Sequence, residues 1–138
     1  MKTVEKATTL SIPHLLGQDA FLMKIAAKES EMTSVKLIVA YPQPVDAEAF
    51  EKAYLEEHVP LAVAKLHGMT KIVATKILGS PRGKPQFYRV AEVYFPSMKV
   101  LEACAESIGG QETLANAAKI SSGGPPVIMI AEEESFPF

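Results

Sequence analysis

The order of strand-like and helix-like segments constrains the fold of this chain more than any other feature of its sequence. Four segments rich in β-branched and apolar residues predict strands, at 35–41, 70–78, 86–95 and 127–133. Helical segments follow the first and third strands, and a loop rich in Gly and Pro joins the second strand to the third. The resulting order, β-α-β-β-α-β, is the split βαβ or ferredoxin-like pattern of an α+β domain.

Capping residues set the bounds of the two main helices. The first is predicted to run from about Ala47 to Lys65, with Asp46 as its N-cap and Gly68 as its C-cap. The second is predicted to begin at Ser97 and to end at the glycine pair 109–110, before a short additional helix in "QETLANAAKI". Its apolar stripe comprises Met98, Leu101, Cys104, Ala105 and Ile108.

A chain of 138 residues is long enough for one domain with a hydrophobic core and too short for two. We assign this domain to residues 35–138. Residues 1–34 lack a sustained hydrophobic period and are predicted to form an N-terminal extension, partly helical. Phe21, Leu22 and Ile25 lie on one side of that helix, which favours docking on the domain or on a partner subunit.

Composition argues against several classes of function. A formal net charge of −2 gives no basic face for nucleic acid, and the Lys and Arg residues between 71 and 89 fit the solvated rim of a hairpin. With one cysteine, the chain can form no internal disulfide, as is typical of a reducing compartment. No stretch approaches the roughly 20 apolar residues of a membrane-spanning helix, and the N-terminus lacks the apolar core of a secretory signal. We therefore expect a cytoplasmic, soluble protein without a membrane or nucleic-acid partner.

The predicted sheet carries apolar residues on both faces. In the segments 35–41, 86–95 and 127–131, apolar side chains occupy odd and even positions alike. Two helices can cover only one face of a four-stranded sheet, so the other face needs a cover. The sequence therefore predicts a homodimer in which the sheets of two subunits pack face to face.

The first helix contains the strongest candidate for chemistry. Its inward stripe is predicted to contain Phe50, Tyr54, His58 and Leu61, so His58 lies one turn after Tyr54. Pro60 removes the hydrogen bond to the carbonyl of Glu56 and disfavours helical geometry at the residue before it. We therefore expect a local bend and a freed carbonyl beside the imidazole.

Two interpretations of His58 stay open on helical geometry alone. A single inward histidine is often a core residue satisfied by a tyrosine or a carbonyl, and its rival is a general acid or base near neutral pH. The histidines show no metal-ligand spacing, and no glycine-rich phosphate loop is present. Cys104, on the apolar stripe of its helix, is expected to pack in the core. In the third strand, Tyr88, Glu92 and Tyr94 share one parity and are expected to form a polar wall.

The segment "VKLIVAYPQPVDAEAFEKAYLEEHVPLAVAKLHG", followed by "FYRVAEVYF", resembles the EthD family, named for ethyl tert-butyl ether degradation. The most specific element is Tyr54-xxx-His58-x-Pro60, and the similarity covers about residues 35–133. The resemblance implies a dimeric α+β barrel, a superfamily that includes cofactor-free monooxygenases, polyketide cyclases, lactone isomerases and haem proteins. Members of the family usually have an aspartate and an aromatic residue after the second helix, where this chain has "QETLANAAKISSGG".

These observations predict a protein that binds or converts a small hydrophobic organic compound, in oxidative catabolism or biosynthesis. The implied chemistry is of the oxidoreductase or cyclase type, without a cofactor or a metal. His58 would act as the acid, base or orienting group and Tyr54 as its hydroxyl partner. The expected ligand-binding residues are Phe50, Leu61, Tyr88, Glu92 and Tyr94. A non-catalytic binding protein and a haem or metal protein with His58 as ligand are the alternatives.

Overall fold

The computed structural model describes residues 33–138, and Val35–Glu132 form one compact unit that contains the site discussed below. A second unit contains residues 33–34 and 133–138. The N-terminal extension predicted for residues 1–34, with its apolar stripe, lies outside the described residues except for 33 and 34. Its docking stays a prediction.

The described chain contains four strands and two interrupted helical segments. The strands are β1 (Thr33–Pro42), β2 (Lys71–Lys76), β3 (Phe87–Phe95) and β4 (Val127–Glu134). The helices are α1 (Ala47–Ala53), α2 (Val59–Lys65), α3 (Met98–Glu106) and α4 (Ile108–Ile120), with a π-helical turn, Tyr54–His58, between α1 and α2. No helix among these residues is long and apolar enough to cross a membrane.

The sheet has the order β2-β3-β1-β4. Strand β3 is antiparallel to both of its neighbours, and Val93 lies opposite Leu37 of β1 and Ile72 of β2. Because β1 and β2 lie on either side of β3, the chain crosses the sheet between them through α1 and α2. This confirms the predicted ferredoxin-like α+β fold.

The core lies between the helices and one face of the sheet. On β1, Val39 and Tyr41 face the helices and pack against Phe50 and Tyr54. A second cluster joins β3 to α3 and consists of Val93, Phe95, Leu101 and Cys104. The predicted core position of Cys104 is thus confirmed, since its side chain is buried.

The first helical segment has the predicted bounds and N-cap, but its C-cap is Leu66 and not Gly68. The Asp46 carboxylate accepts hydrogen bonds from the backbone N–H groups of Glu48 (3.1 Å) and Ala49 (3.2 Å). The π turn adds one residue to the helix, because its hydrogen bonds span five residues. The inward stripe therefore continues with the buried Ala62, whereas Leu61, predicted for this position, is half-buried.

The second helical segment differs from the prediction in where it breaks. Ser107, with extended backbone, ends α3 and caps α4, so the glycine pair 109–110 opens a helix instead of ending one. A Cβ atom would collide with the Lys65 carbonyl oxygen at Gly109 and with the Cys104 carbonyl oxygen at Gly110. Glycine is needed at both positions because backbone approaches closely.

The breaks also change the predicted apolar stripe of the second helix. Leu101 is buried and lies in the core, as expected. Met98 is 38% exposed and Ile108 is 77% exposed, so neither end of the stripe is buried. The extended backbone at Ser107 ends α3, so Ile108 belongs to a new helix and does not continue the stripe of α3.

Candidate functional site

His58 lies at the end of the π turn and is 7% exposed. The backbone N–H of Val59 donates to the carbonyl of Tyr54, which is the five-residue bond that defines the turn. Pro60, which has no N–H, begins the next helix within its first two positions, where a missing donor costs least. The expected irregularity beside His58 is therefore a widened turn, a feature often found at functional sites.

Both ring nitrogens of His58 have partners from other elements. Its Nδ1 lies 2.8 Å from the side-chain oxygen Oδ1 of Asn116 on α4, and its Nε2 lies 3.2 Å from the hydroxyl of Tyr41 on β1. An amide oxygen can only accept, so Nδ1 carries the proton and donates it to Asn116. Nε2 then accepts from the Tyr41 hydroxyl, which makes His58 a neutral imidazole with one defined tautomer.

Burial keeps this hydrogen-bonded group of three residues uncharged. It lowers the pKa of His58, against smaller opposing effects of the Asn116 hydrogen bond and the Glu57 carboxylate. It raises the pKa of Tyr41 well above its ordinary value, with a further contribution from Tyr54. At neutral pH the site therefore holds a neutral imidazole and a neutral phenol.

Tyr54 supports the imidazole through its ring. The Tyr54 and His58 rings are stacked with their centroids 5.9 Å apart. The Phe50 ring also stacks on Tyr54, with the centroids 5.5 Å apart. The hydroxyl within hydrogen-bond distance of His58 belongs to Tyr41, so the sequence prediction of Tyr54 as hydroxyl partner assigned the wrong tyrosine. Helical spacing reveals neighbours one turn apart but gives no contact with another strand.

Arg89 and Glu51 form an ion pair at the face of the Tyr54 ring. The Arg89 guanidinium is 4.9 Å from the ring centroid and donates two hydrogen bonds to the carboxylate of Glu51, at 2.9 and 2.8 Å. This pairing lowers the pKa of Glu51 and raises that of Arg89. The two charges therefore compensate one another and hold the helix against β3.

A cavity of about 50 Å³ lies between the helices and the sheet, next to His58. Its lining is almost wholly apolar, with Tyr41, Tyr54, His58 and Thr113 as the residues that bring polar side-chain atoms other than sulfur. Thr113 donates its hydroxyl proton to the carbonyl of Gly109 at 2.7 Å. Among the described residues that line the cavity, none is Lys, Arg, Asp or Glu.

The cavity brings together only part of the predicted site. Tyr54 and His58 line it, whereas Phe50 and Leu61 lie outside its lining. Phe50 contacts the cavity only through Tyr54, on which its ring stacks. It also contacts the Tyr88 ring edge-on, with the centroids 5.6 Å apart.

The predicted polar wall on the third strand does not form. Lys36 pairs with Glu92 at 2.6 Å, and in the register of β1 and β3 it lies opposite Tyr94. Since neighbouring residues of a strand face opposite sides, Glu92 and Tyr94 lie on the face of the sheet away from the cavity. Tyr88 packs on the helical side, next to a register shift in the pairing of β1 and β3. That irregularity breaks the parity on which the prediction depended.

The two polar partners of His58 were missed in the sequence. Tyr41 has the same parity as Val39 and Leu37, which would have placed it on the inward face of β1. Asn116 is an amide in the alanine-rich run "LANAAK", with no sequence signal that marks it as a partner of His58. Their contact with His58 depends on how β1 and α4 pack.

A metal centre finds little support among residues 33–138. They contain no group of three His, Cys, Asp or Glu side chains placed to hold a metal ion. The imidazole of His58 also has both nitrogens engaged with protein partners.

Comparison with known proteins identifies relatives of this chain. The family model of the EthD domain matches residues 42–120. An EthD family protein from Bacillus halodurans C-125 is 35% identical, with a TM-score of 0.67, and the match covers 72% of this chain and 98% of that protein. A dimeric ferredoxin-like protein from Jannaschia sp. CCS1 is 13% identical with a TM-score of 0.52, and the match covers 72% of this chain and 97% of that protein. At this low identity, the similarity concerns the fold alone.

A curated relative points in the same direction. An uncharacterized 11.0 kDa protein from the thcB–thcC intergenic region of Rhodococcus erythropolis is 29% identical over 102 residues, which are 74% of this chain and 98% of the relative. Since the family model spans more than half of the chain and the Bacillus protein matches along nearly its whole length, this chain belongs to the EthD family.

Proposed function

We propose that this protein binds a small, mainly apolar organic compound in the cavity beside His58. The observation that carries this proposal is an apolar cavity lined in part by Tyr41 and His58, which are hydrogen-bonded to each other, with Asn116 bonded to His58 outside the lining. An apolar lining supplies affinity, and a few placed polar atoms orient the ligand. The tautomer fixed by Asn116 presents the lone pair of Nε2 to the Tyr41 hydroxyl.

His58 supplies the chemistry in the catalytic form of this proposal. A neutral imidazole with its Nδ1 proton held by Asn116 can accept a proton at Nε2 from a bound compound. It returns that proton to a neighbouring atom of the same compound, as an isomerisation or a cyclisation requires. Redox-neutral, cyclase-type conversion of the ligand, which needs only this proton transfer, is the class of activity we assign to this arrangement.

A non-catalytic binding protein is the second candidate function. The Tyr41 hydroxyl and Nε2 of His58 are already bonded to one another, which suits a binding site that stays stable between ligands. Turnover of a bound compound by the wild type, lost in His58→Leu while binding persists, would favour the enzyme. Equal product formation with and without the protein would favour the binding protein.

Filling the cavity tests the shared part of both candidates. Ala62 is buried and lines the cavity, so Ala62→Leu places three added carbon atoms in it. Ala64, on the same helix, is exposed, and Ala64→Leu is the matched control. In an NMR screen of small apolar compounds, we expect ligands of the wild type to bind Ala64→Leu equally well and Ala62→Leu at least tenfold more weakly. Equal binding by all three proteins would refute the proposal.

A haem protein with His58 as ligand is disfavoured by the size of the site. A cavity of about 50 Å³ holds a few water-sized groups, since each needs roughly 10–15 Å³ by this measure, and a porphyrin is far larger. An absorption spectrum of the purified protein with a Soret band would reverse this conclusion.

We also propose that the chain forms a homodimer through its sheet. Four consecutive residues of β4, Val127 to Ile130, are apolar and each at least 41% exposed. The Jannaschia protein with the same fold is dimeric, and burying this strand against a second copy would remove its apolar surface from water. Sedimentation equilibrium should show a dimer at micromolar concentration and a weaker one for Ile130→Glu. A monomeric wild type would contradict this.

A further inference from the structure

The cavity beside His58 offers a ligand apolar contact and almost no hydrogen bonding. We propose that the part of the ligand that enters it is a hydrocarbon group of about four non-hydrogen atoms, without a hydroxyl, a carbonyl or a charge. This inference rests on the proposed function, because it names the ligand class of the same cavity. It applies to the enzyme and to the binding protein alike, since it concerns only the group that fills the cavity.

The surface of the cavity carries this inference. Among the described residues of the lining, the side chains with hydroxyl or imidazole groups are Tyr41, Tyr54, His58 and Thr113, yet the surface that the cavity presents is almost wholly apolar. These side chains therefore border the cavity with carbon atoms. The buried Cys104 adds to the apolar lining, because a free thiol in the core behaves as a small hydrophobic group.

The polar atoms of these side chains are engaged with the protein or lie away from the cavity surface. The Tyr41 hydroxyl is bonded to Nε2 of His58, and the Thr113 hydroxyl donates to the carbonyl of Gly109. An almost wholly apolar surface leaves at most a trace for the Tyr54 hydroxyl. In the described part of the chain, every buried side-chain nitrogen or oxygen has a hydrogen-bond partner, so none of them needs one from a ligand.

The volume of the cavity limits the size of the group. A water-sized group needs roughly 10–15 Å³ by this measure, so a cavity of about 50 Å³ takes about four non-hydrogen atoms. Ala62 and Ala117 are buried in the lining and contribute only a methyl group each, which leaves this space open. Since an apolar cavity of this kind stays dry, a hydrocarbon group gains affinity there by leaving water and contacting the wall.

A polar or charged group would lose affinity in the same place. A hydroxyl or a carbonyl would give up its hydrogen bonds to water and meet carbon, which costs about tenfold or more in affinity. Arg89, near the Tyr54 ring, already donates two hydrogen bonds to Glu51. Because none of the described lining residues is Lys, Arg, Asp or Glu, a charged group would also lack a counter-charge.

Three probes with the same number of non-hydrogen atoms test this inference: isobutane, propan-2-ol and acetone. Isobutane consists of carbon and hydrogen alone, whereas the other two carry a hydroxyl or a carbonyl. Isobutane is added as gas-saturated buffer, and the other two are titrated up to about 0.1 M, while NMR signals of the cavity methyl groups are followed in labelled full-length protein.

We expect isobutane to bind the wild type at least tenfold more tightly than either polar probe. Its affinity should fall at least tenfold in Ala62→Leu, which fills the cavity, and persist in the exposed control Ala64→Leu. The comparison of the probes on the wild type decides the ligand class even if Ala62→Leu does not fold.

The contrary outcomes separate the two proposals. Propan-2-ol or acetone binding as tightly as isobutane, and weakened by Ala62→Leu, would overturn the hydrocarbon class and leave the cavity site intact. If isobutane bound equally to all three proteins, or if no probe shifted the cavity signals, both proposals would be refuted.

Discussion

The hydrogen bond between Tyr41 and His58 can be measured by removing its two ends separately and together. Tyr41→Phe removes the donor and leaves Nε2 of His58 without a partner, whereas His58→Leu removes the acceptor and leaves the Tyr41 hydroxyl unpaired. Tyr41 is fully buried and His58 is 7% exposed, so neither orphaned group can turn to bulk water. The double variant has neither group, so the penalty of an unpaired Tyr41 or His58 disappears from it, whereas Asn116 loses its partner in His58→Leu and in the double variant alike.

The structure sets the expected size of this effect. Leaving a buried donor or acceptor unsatisfied costs about 1–3 kcal/mol, so each single variant should lose about that much stability. The double variant should lose less than the sum of the two, by about 1–2 kcal/mol, because the penalty of one unpaired partner is counted in each single variant and is absent from the double one. For a chain of this length, each 1 kcal/mol corresponds to a shift of about 3–4 °C in Tm.

Urea unfolding of the four proteins, followed by circular dichroism, gives the coupling free energy directly. The control replaces the exposed His67 by Leu and combines it with Tyr41→Phe, for which additivity within about 0.5 kcal/mol is expected. If Tyr41→Phe and His58→Leu were as additive as this control pair, the two side chains would not be bonded in solution. The role of the Tyr41 hydroxyl as donor to Nε2 of His58 would then lose its basis.

Three further predictions concern the surroundings of the site. Because burial holds the pKa of His58 below its ordinary value of 6.5, protonation favours the unfolded chain. The stability contributed by the neutral ring is therefore present above about pH 6.5 and falls below it. The urea midpoint of the wild type should drop more between about pH 8 and 5 than that of His58→Leu, and parallel curves would contradict this. Arg89→Lys loses the pair of hydrogen bonds to the Glu51 carboxylate and should lower the free energy of unfolding by about 1–2 kcal/mol. Lys76→Ala removes a half-exposed pair 3.9 Å from the same carboxylate and should cost less than about 0.5 kcal/mol. Equal losses in thermal unfolding would refute this ranking. Gly110→Ala should lower the free energy of unfolding by at least about 2 kcal/mol, because a Cβ there collides with backbone. Gly79→Ala, where a Cβ meets no atom within 4 Å, should change it by less than about 0.5 kcal/mol. Two equally mild variants in urea unfolding would show that the backbone can relax.

The fold could be predicted from the sequence because its determinants are local. A strand needs a short apolar run bounded by turn residues, and a helix needs a cap such as Asp46, and each of these is visible in a few consecutive residues. Once the order of strands and helices is known, short connections and crossover rules leave few arrangements of the sheet. The ends of the first helix, Ala47 and Lys65, were predicted for the same reason.

The glycine pair 109–110 shows where local reasoning fails. Two glycines lower helix propensity, so the sequence alone predicts the end of a helix at that point. In the folded chain the first turn of α4 packs against the end of α2, so closely that a side chain at 109 would meet the Lys65 carbonyl. Propensity describes an isolated segment, and packing with another segment can outweigh its cost of about 1 kcal/mol per glycine.

The same distinction between local and tertiary determinants applies to the candidate site. Sequence by itself placed His58 inward beside Tyr54 and marked the irregularity at Pro60, since helical spacing and the missing N–H of proline act within one or two turns. Only the tertiary structure decided that the imidazole bonds to Tyr41, 17 residues before it, and to Asn116, 58 residues after it. Those contacts depend on the distance and register between a strand and a helix, which many sequences with the same hydrophobic pattern would set differently. The partners, and with them the protonation state of His58, therefore follow from packing across the core.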